Sequence, residues 1–183
     1  ILSGLVGSEM CIRDRYKHFK SKNELLLELV IENEKKLLEI SQKHNNNFKE
    51  YAPIYMLHHL LAPARTILLH QLEENLTMSE SKLNHLFKEL YDIRQERILA
   101  IKDITEAYLK SVNYDMSIRD YLSYIWSLTY GAALLLNSSY YQRSIGSRQK
   151  LINLYVNQAL SLPTQSINLD AFELEIKLDE LNK

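Results

Sequence analysis

Apolar positions recur at helical spacing along most of this chain. Ser21 and Glu24 are spaced as a capping box, and the apolar positions that follow share one helical face, so residues 22–44 are predicted to form a long helix. The asparagines at residues 45–47 are poor helix formers and predict its end. The apolar face is predicted to comprise Leu26, Val30, Leu37 and Ile40.

The middle of the chain continues the same periodicity. Pro53 suits the first turn of a second helix, where its missing N–H is not needed. Pro63 falls inside the apolar pattern, so a kink or break is expected near Leu61. Thr77 and Glu80 form another capping-box spacing and predict a helix start. The positions that then recur, in one or two helices, are Leu83, Phe87, Leu90, Arg94, Arg97, Ile101, Ile104 and Tyr108.

Two more helices are predicted towards the C-terminus. Ser117 and Asp120 form a cap before residues 118–137, and Ser147 precedes residues 148–160, which Pro163 closes. Residues 164–183 fit either strand alternation or helical spacing. With four glycines and three prolines in 183 residues, the pattern predicts an all-α fold.

Composition limits the kinds of partner that the chain can have. A net charge of −1 provides no overall basic field, so DNA binding would need a local basic patch. Cys11 is the only cysteine, which rules out an intramolecular disulfide and predicts a reducing, cytoplasmic location. No uncharged apolar run reaches the roughly 18 residues of a transmembrane helix, so no membrane partner is expected.

A short basic segment carries the clearest functional signal. Residues 16–26 read YKHFKSKNELL, with three lysines, a histidine and a tyrosine before the first acid, Glu24. A helix that starts at Lys22 adds free N–H groups and the positive end of a helix dipole, which suit a phosphate. Tyr16 and Lys22 flank the turn, and Lys17 would project towards a phosphate or a base edge. Taken alone, a lysine-rich turn is more often simply solvated.

The complete segment resembles the signature of TetR-type (TetR/AcrR) bacterial transcriptional regulators, an aromatic-x-His-Phe-x-Ser/Asn-Lys-x-x-Leu pattern. The resemblance implies a helix-turn-helix domain joined to a multi-helix effector-binding and dimerisation domain. It implies a repressor that a small molecule releases from its operator, although activators share this architecture. It implies that Tyr16 and Lys22 contact phosphates and that His18 helps to set the turn. The residues assigned to DNA binding are Tyr16, Lys17, His18, Lys20 and Lys22.

The sequence before this signature does not fit the pattern of that family. Residues 1–15 read ILSGLVGSEMCIRDR and resemble translated sequencing-adapter DNA, the alternative being a genuine frayed segment. We expect residues 1–15 to be non-native and residues 16–44 to be a remnant of the DNA-binding domain with its connecting helix. Residues 45–163 are expected to form the ligand-binding and dimerisation domain, and residues 164–183 to be a tail of uncertain order. Without the helices that orient a recognition helix, this chain is predicted not to bind operator DNA, which only the intact protein would bind.

The resemblance implies that the middle helices enclose a small ligand, and their aromatic residues indicate an amphipathic or aromatic effector. Large aromatic side chains with polar tips are the usual lining of such a pocket, and ordinary core packing is the alternative for each of them. The histidines show no metal-ligand spacing with cysteine or carboxylates, so neither a metal nor a cofactor is expected. The residues assigned to the pocket are Tyr55, His59, His70, Phe87, Tyr91, Tyr108, Tyr124 and Trp126.

The last two predicted helices are unusually apolar. The resemblance implies that they form a homodimer interface, a four-helix bundle across a two-fold axis. The alternative is that these side chains are buried inside one subunit. The residues assigned to the interface are Tyr121, Ile125, Leu128, Ala132, Leu135, Leu151, Leu154 and Tyr155.

Catalytic motifs do not occur in the sequence. It contains no glycine-rich phosphate loop, no GxSxG and no HExxH, and Glu73, Glu74 and Asp92 are expected to be solvated, so the protein is not expected to be an enzyme. The second interpretation is a helical interaction or scaffold protein that binds no DNA, in which residues 16–22 form an ordinary turn.

Overall fold

A computed structural model describes residues 19–77, 83–144 and 146–161 of the chain. Within these residues all regular secondary structure is α-helical, which confirms the predicted all-α class for this part of the chain. Residues 164–183, whose conformation the sequence left open, lie outside it. The helices are α1 (Lys22–Lys43), α2 (Phe48–Leu60), α3 (Pro63–Thr77), α4 (Asn84–Ser111), α5 (Ile118–Asn137), α6 (Ser139–Ser144) and α7 (Arg148–Leu160).

Three helices begin at serine caps, and the sequence predicts two of these caps, Ser21 and Ser117. The side-chain oxygens of Ser21, Ser117 and Ser147 each accept a hydrogen bond from the backbone N–H three residues later, at 3.0, 3.1 and 3.4 Å. Each bond satisfies one of the N–H groups that the first turn of a helix leaves without a partner. The predicted bounds of α1, α5 and α7 are confirmed to within a residue.

The predicted start of α2 is wrong. Asn47 caps this helix, since its side-chain oxygen accepts a hydrogen bond from the Lys49 N–H at 2.9 Å, and α2 begins at Phe48. Pro53 therefore lies inside the helix rather than in its first turn. The predicted break near Leu61 is confirmed, because α2 ends at Leu60 and α3 begins at Pro63.

The predicted helix start at Thr77 is also wrong. The Thr77 hydroxyl donates to the Glu73 carbonyl at 2.9 Å, so this residue belongs to the last turn of α3. Glu80, its expected capping partner, lies outside the described residues. Leu83 precedes α4, which runs without interruption to Ser111 as one helix rather than two.

Two buried clusters of side chains hold the helices together. The α1 helix packs along α4 and contributes to both clusters, α5 packs on α3, and α7 packs on α2 and α5. Each fully buried leucine or isoleucine contributes about 1.5–3 kcal/mol. The smaller cluster consists of Leu27, Val30, Ile31, Leu76, Leu83, Leu86, Phe87 and Leu90. The larger cluster includes Leu37, Phe48, Tyr51, Met56, Leu60, Ile101, Tyr108, Tyr121, Ile125, Ala132 and Ile152.

Among the described helices, none combines the length and the apolar character needed to cross a bilayer.

Candidate ligand cavity

A cavity of about 730 Å³ lies between the first five helices. Each of them supplies part of its wall, so the cavity exists only when α1 to α5 are packed together. Its volume falls within the range of about 300–1,000 Å³ that is usual for small-molecule sites. The lining combines aromatic rings, apolar side chains and a buried cluster of charges.

One wall of the cavity is a chain of aromatic rings. The Tyr55 and His59 rings lie 4.9 Å apart, and the His59 ring lies 5.9 Å from that of Tyr130. Tyr130 in turn contacts His70 at 5.0 Å and Trp126 at 5.3 Å, both edge to face. Such edge-to-face contacts leave ring edges and faces available to a flat apolar molecule.

A buried ionic network forms another part of the wall. Glu34 on α1 is only 4% exposed, and its two oxygens accept hydrogen bonds from the Nε atoms of Arg94 at 3.1 Å and Arg97 at 2.6 Å. The two Nη atoms of Arg94 also bind the two oxygens of Glu73 on α3, at 2.5 and 2.7 Å. Two acids and two arginines therefore link α1, α3 and α4 through balanced charges.

The arginines of this network stay charged. Burial lowers the pKa of Arg97, but the adjacent Glu34 carboxylate outweighs this effect, so the pKa lies above its ordinary value. The Arg97 guanidinium also lies over the Tyr55 ring, 5.7 Å from its centroid. The network therefore continues into the aromatic wall.

One feature of the sequence indicates this network. Arg94 and Arg97 occupy positions on the apolar stripe of α4, where a charge must find a partner in the core. Their partner Glu34 lies between Val30 and Leu37 on the buried face of α1. The expectation that Glu73 is solvated is wrong, because its side chain is only 12% exposed and binds Arg94.

His59 is 3% exposed and contributes to the lining of the cavity, and one of its ring nitrogens has no hydrogen-bond partner in the part of the chain that the structure describes. The Thr66 hydroxyl donates to the His59 carbonyl at 3.1 Å, so its oxygen is left to accept from Nδ1, 3.3 Å away. This assignment places the ring hydrogen on Nδ1 and leaves Nε2 as an acceptor with no partner among the described residues. Burial, with the neighbouring His58, lowers the pKa of His59 to about 3, so the ring is neutral at neutral pH.

Four of the eight residues assigned to the pocket line this cavity. They are Tyr55, His59, His70 and Trp126. Tyr130 and the four residues of the ionic network, none of which is among the eight, also line it. Of the other four assigned residues, Phe87 is buried in the smaller cluster, and Tyr91 beside it is 51% exposed.

Tyr108 and Tyr124 have a different role from the predicted one. The hydroxyls of Tyr108, Tyr121 and Tyr124 donate to the carbonyls of Leu160, Ala159 and Gln158, at 2.9, 2.8 and 3.3 Å. These carbonyls lie in the last turn of α7, where a helix leaves its C=O groups without partners inside the helix, and that of Gln158 also accepts from the Ser161 N–H at 3.2 Å. The tyrosine hydroxyls therefore anchor the end of α7 and do not line the cavity.

The residues assigned to the dimer interface differ in how deeply they are buried. Tyr121, Ile125 and Ala132 are buried within the chain, which matches the alternative of packing inside one subunit. Leu128, Leu135, Leu151 and Tyr155 are half-buried, and Leu154 is 60% exposed. The outer face of α5 exposes Leu134, and open space surrounds Gly131 on the same face. The exposed apolar surface of α5 and α7 therefore differs from the predicted stripe.

Only part of the predicted DNA site lies within the described residues. Tyr16, Lys17 and His18 lie outside them. The side chains of Lys20 and Lys22 are exposed ahead of and at the start of α1. The backbone N–H of Lys20 donates to the carboxylate of Glu24, which places an acid beside the two lysines.

Within residues 19–77, 83–144 and 146–161, no group of three or more histidines, cysteines and acids is arranged to hold a metal ion. Comparison with models of known protein families gives no match, and neither does comparison with curated proteins.

Proposed function

We propose that this chain carries the effector-binding and dimerisation part of a TetR-type transcriptional regulator, a repressor that a small molecule releases from operator DNA. The observation that carries the proposal is the position of α1. This helix begins within the signature segment at residues 16–26, and further along it forms a wall of the cavity through Val30, Asn33, Glu34 and Leu37. One rigid element therefore joins the segment that would meet DNA to the site that would hold the effector.

Glu34 supplies the physical link in this proposal. It fastens α1 to α4 through Arg94 and Arg97, and both arginines line the cavity. A ligand that displaces Arg97 pulls on Glu34 and so tilts α1. Tilting α1 in both subunits of a dimer changes the distance between the two recognition helices, which must match the spacing of the operator half-sites. The ligand can shift this equilibrium only by its preference for one state.

The dimer forms through the exposed apolar surface of α5 and α7 in this proposal. Leu134 is 57% and Leu154 is 60% exposed, and Gly131 leaves room for a partner helix to approach. A two-fold interface uses the same patch on both subunits, as a palindromic operator requires.

A helical interaction protein without DNA binding is the second candidate. The observation that favours it is that large apolar side chains are also exposed away from α5 and α7. Leu61 is 65% and Leu99 is 59% exposed. A binding partner for such surfaces would be another protein, and operator DNA would then have no part in the function.

DNA binding by the full gene product separates these candidates. The gene is sequenced across its 5′ end, the protein is expressed with all upstream codons, and its binding to palindromic DNA upstream of the gene is followed by fluorescence anisotropy. We expect the affinity for DNA to fall as the salt concentration rises. Lys22→Ala should reduce the slope of the logarithm of the binding constant against the logarithm of salt concentration by about one. Lys43→Ala, at the other end of α1, leaves the slope unchanged. No helix-turn-helix in the upstream codons and no binding would contradict the proposal.

A further inference from the structure

The cavity is a trough that follows one face of α4 and one face of α5. The α5 residues that line it are spaced as a single helical stripe, and they are Arg119, Leu122, Ser123, Trp126 and Tyr130. From the first to the last of these positions the helix rises about 16 Å, at about 1.5 Å per residue. The α4 residues that line it form a similar stripe, and they are Arg94, Gln95, Arg97, Ile98, Ile101 and Lys102. A ligand that fills the cavity is therefore elongated.

Two cations without ion-pair partners lie in this lining. The side chains of Lys102 on α4 and Arg119 on α5 are exposed to solvent, and neither forms an ion pair or a hydrogen bond with the described residues. The acid four residues after Lys102, Glu106, pairs with Lys110 at 2.6 Å. The acid next to Arg119, Asp120, accepts a hydrogen bond from the serine that caps α5, at 2.6 Å. Both cations are therefore available to a ligand.

The other charges of the lining leave this end of the cavity positive. The four residues of the ionic network balance one another, since its two acids pair with its two arginines. The remaining acid of the lining is Glu74 on α3. It follows Glu73, which binds Arg94 at the opposite end of the α4 stripe from Lys102. An anionic group is therefore favoured at the end that Lys102 and Arg119 line.

Apolar side chains connect this cationic end to the aromatic wall. Leu122 follows Arg119 by less than one turn of α5, and Ile98 and Ile101 line the trough from α4. Trp126 lies two turns beyond Arg119, so their backbone positions are separated by about 10 Å along the helix. A ligand that reaches both needs a ring and an anionic group, joined by an alkyl chain of several carbons.

We propose that this cavity binds an aryl-alkanoate, with its carboxylate at Lys102 and Arg119 and its ring against Trp126. The inference rests on the proposed function in one respect, because it names the ligand class of the same cavity. It concerns binding alone, so its failure would leave the DNA-binding test of the proposed function unaffected.

Three probes with the same ring and chain test the charge of the head group. They are 6-phenylhexanoate, 6-phenyl-1-hexanol and 6-phenylhexylamine, which are negative, neutral and positive at neutral pH. Binding is followed by calorimetry and by the fluorescence of Trp126, the single tryptophan of the chain. The carboxylate should bind with a Kd about fivefold lower than that of the alcohol, as expected for pairing with two exposed cations. A cavity without a cationic end would favour the alcohol, because a carboxylate loses more hydration.

Neutral variants of the two cations locate the head group. The double variant Lys102→Gln, Arg119→Gln changes two exposed side chains and should lose the preference for the carboxylate over the alcohol. Lys88→Gln is the matched control, since Lys88 is exposed on the same helix as Lys102 but lies outside the cavity, and the preference should persist. Added salt should also reduce the preference in the wild-type protein, because it screens exposed charges.

Each contrary outcome overturns a stated part of the inference. Equal or tighter binding of the alcohol, tightest binding of the amine, or binding of none of the probes overturns the ligand class. Persistence of the preference in the double variant overturns the assignment of Lys102 and Arg119. If circular dichroism shows that the double variant is unfolded, the two single variants and the salt dependence decide, and each single variant should lose about half of the preference in free energy.

Discussion

Replacing Glu34 with glutamine tests the ionic network that fastens α1 to the rest of the protein. The two carboxylate oxygens of Glu34 accept separate hydrogen bonds, one from Arg94 Nε and one from Arg97 Nε. Glutamine has almost the same shape but only one acceptor oxygen. Its amide NH₂ must then face one of the two arginine N–H groups, and the negative charge between the guanidinium groups is lost.

The expected loss in the free energy of unfolding depends on how deeply the ion pairs are buried and on which hydrogen bonds each arginine keeps. Removing one partner of a buried ion pair costs about 3–5 kcal/mol, because the other charge stays buried without compensation. Arg94 keeps its two bonds to Glu73, and its side chain is 29% exposed, so we expect the lower end of that range. A loss of about 3 kcal/mol corresponds to a fall in Tm of roughly 6–12 °C for a chain of this size.

Urea denaturation followed by circular dichroism measures this loss. Glu39→Gln is the control, since Glu39 is exposed on the same helix and its replacement should change the free energy of unfolding by less than about 0.5 kcal/mol. If Glu34→Gln costs no more than Glu39→Gln, the network does not hold α1 in place. Glu34 could then not transmit a displacement from the cavity.

Three further predictions concern other parts of the protein. Since burial lowers the pKa of His59 to about 3 from 6.5, the unfolded chain gains a proton below pH 6.5 that the folded chain lacks. Wild-type stability to urea should therefore fall by about 2 kcal/mol more between pH 7 and pH 5 than that of His59→Phe. Tyr121→Phe removes the bond to the Ala159 carbonyl and should lower the free energy of unfolding by about 1–2 kcal/mol, whereas Tyr140→Phe, at an exposed position, should not. If the proposed dimer forms through α5 and α7, Leu134→Glu should give a monomer in analytical ultracentrifugation without loss of helix content, because Leu134 is 57% exposed.

Each of these three predictions would be contradicted by a different result. Identical pH dependence of wild type and His59→Phe would mean that His59 is not held neutral by the fold. Equal stability of Tyr121→Phe and Tyr140→Phe would mean that the hydroxyl does not anchor α7. A Leu134→Glu protein that remains dimeric would place the interface elsewhere.

Local sequence signals predicted much of the helical framework because they act over one turn. Ser21 and Ser117 each cap a helix through a bond to the backbone N–H of an acid three residues away, so spacing alone identifies them. Thr77 shows the limit of such signals. A threonine hydroxyl can cap the next helix or donate to the preceding turn, and at Thr77 it does the second.

The cavity was harder to predict, because its lining depends on which helices meet. Tyr55 and Tyr108 look alike in sequence, but Tyr55 faces the cavity and Tyr108 donates to the end of α7. Only the packing of α7 distinguishes them. Arg94 and Arg97 stood out on an apolar stripe, but the sequence did not identify their partners, which come from α1 and α3.

The most direct test of the central claim is whether DNA bound at the start of α1 changes the affinity of the cavity for its ligand. A small aromatic ligand is first identified by its effect on the fluorescence of Trp126, which lines the cavity. Its Kd is then measured by calorimetry for the intact protein, expressed with all upstream codons, both free and saturated with its palindromic operator. If the cavity and the DNA site are coupled through α1, the ligand binds more weakly to the operator-bound protein, by about 5- to 150-fold for a coupling of 1–3 kcal/mol. Equal affinity for the two forms would contradict the account.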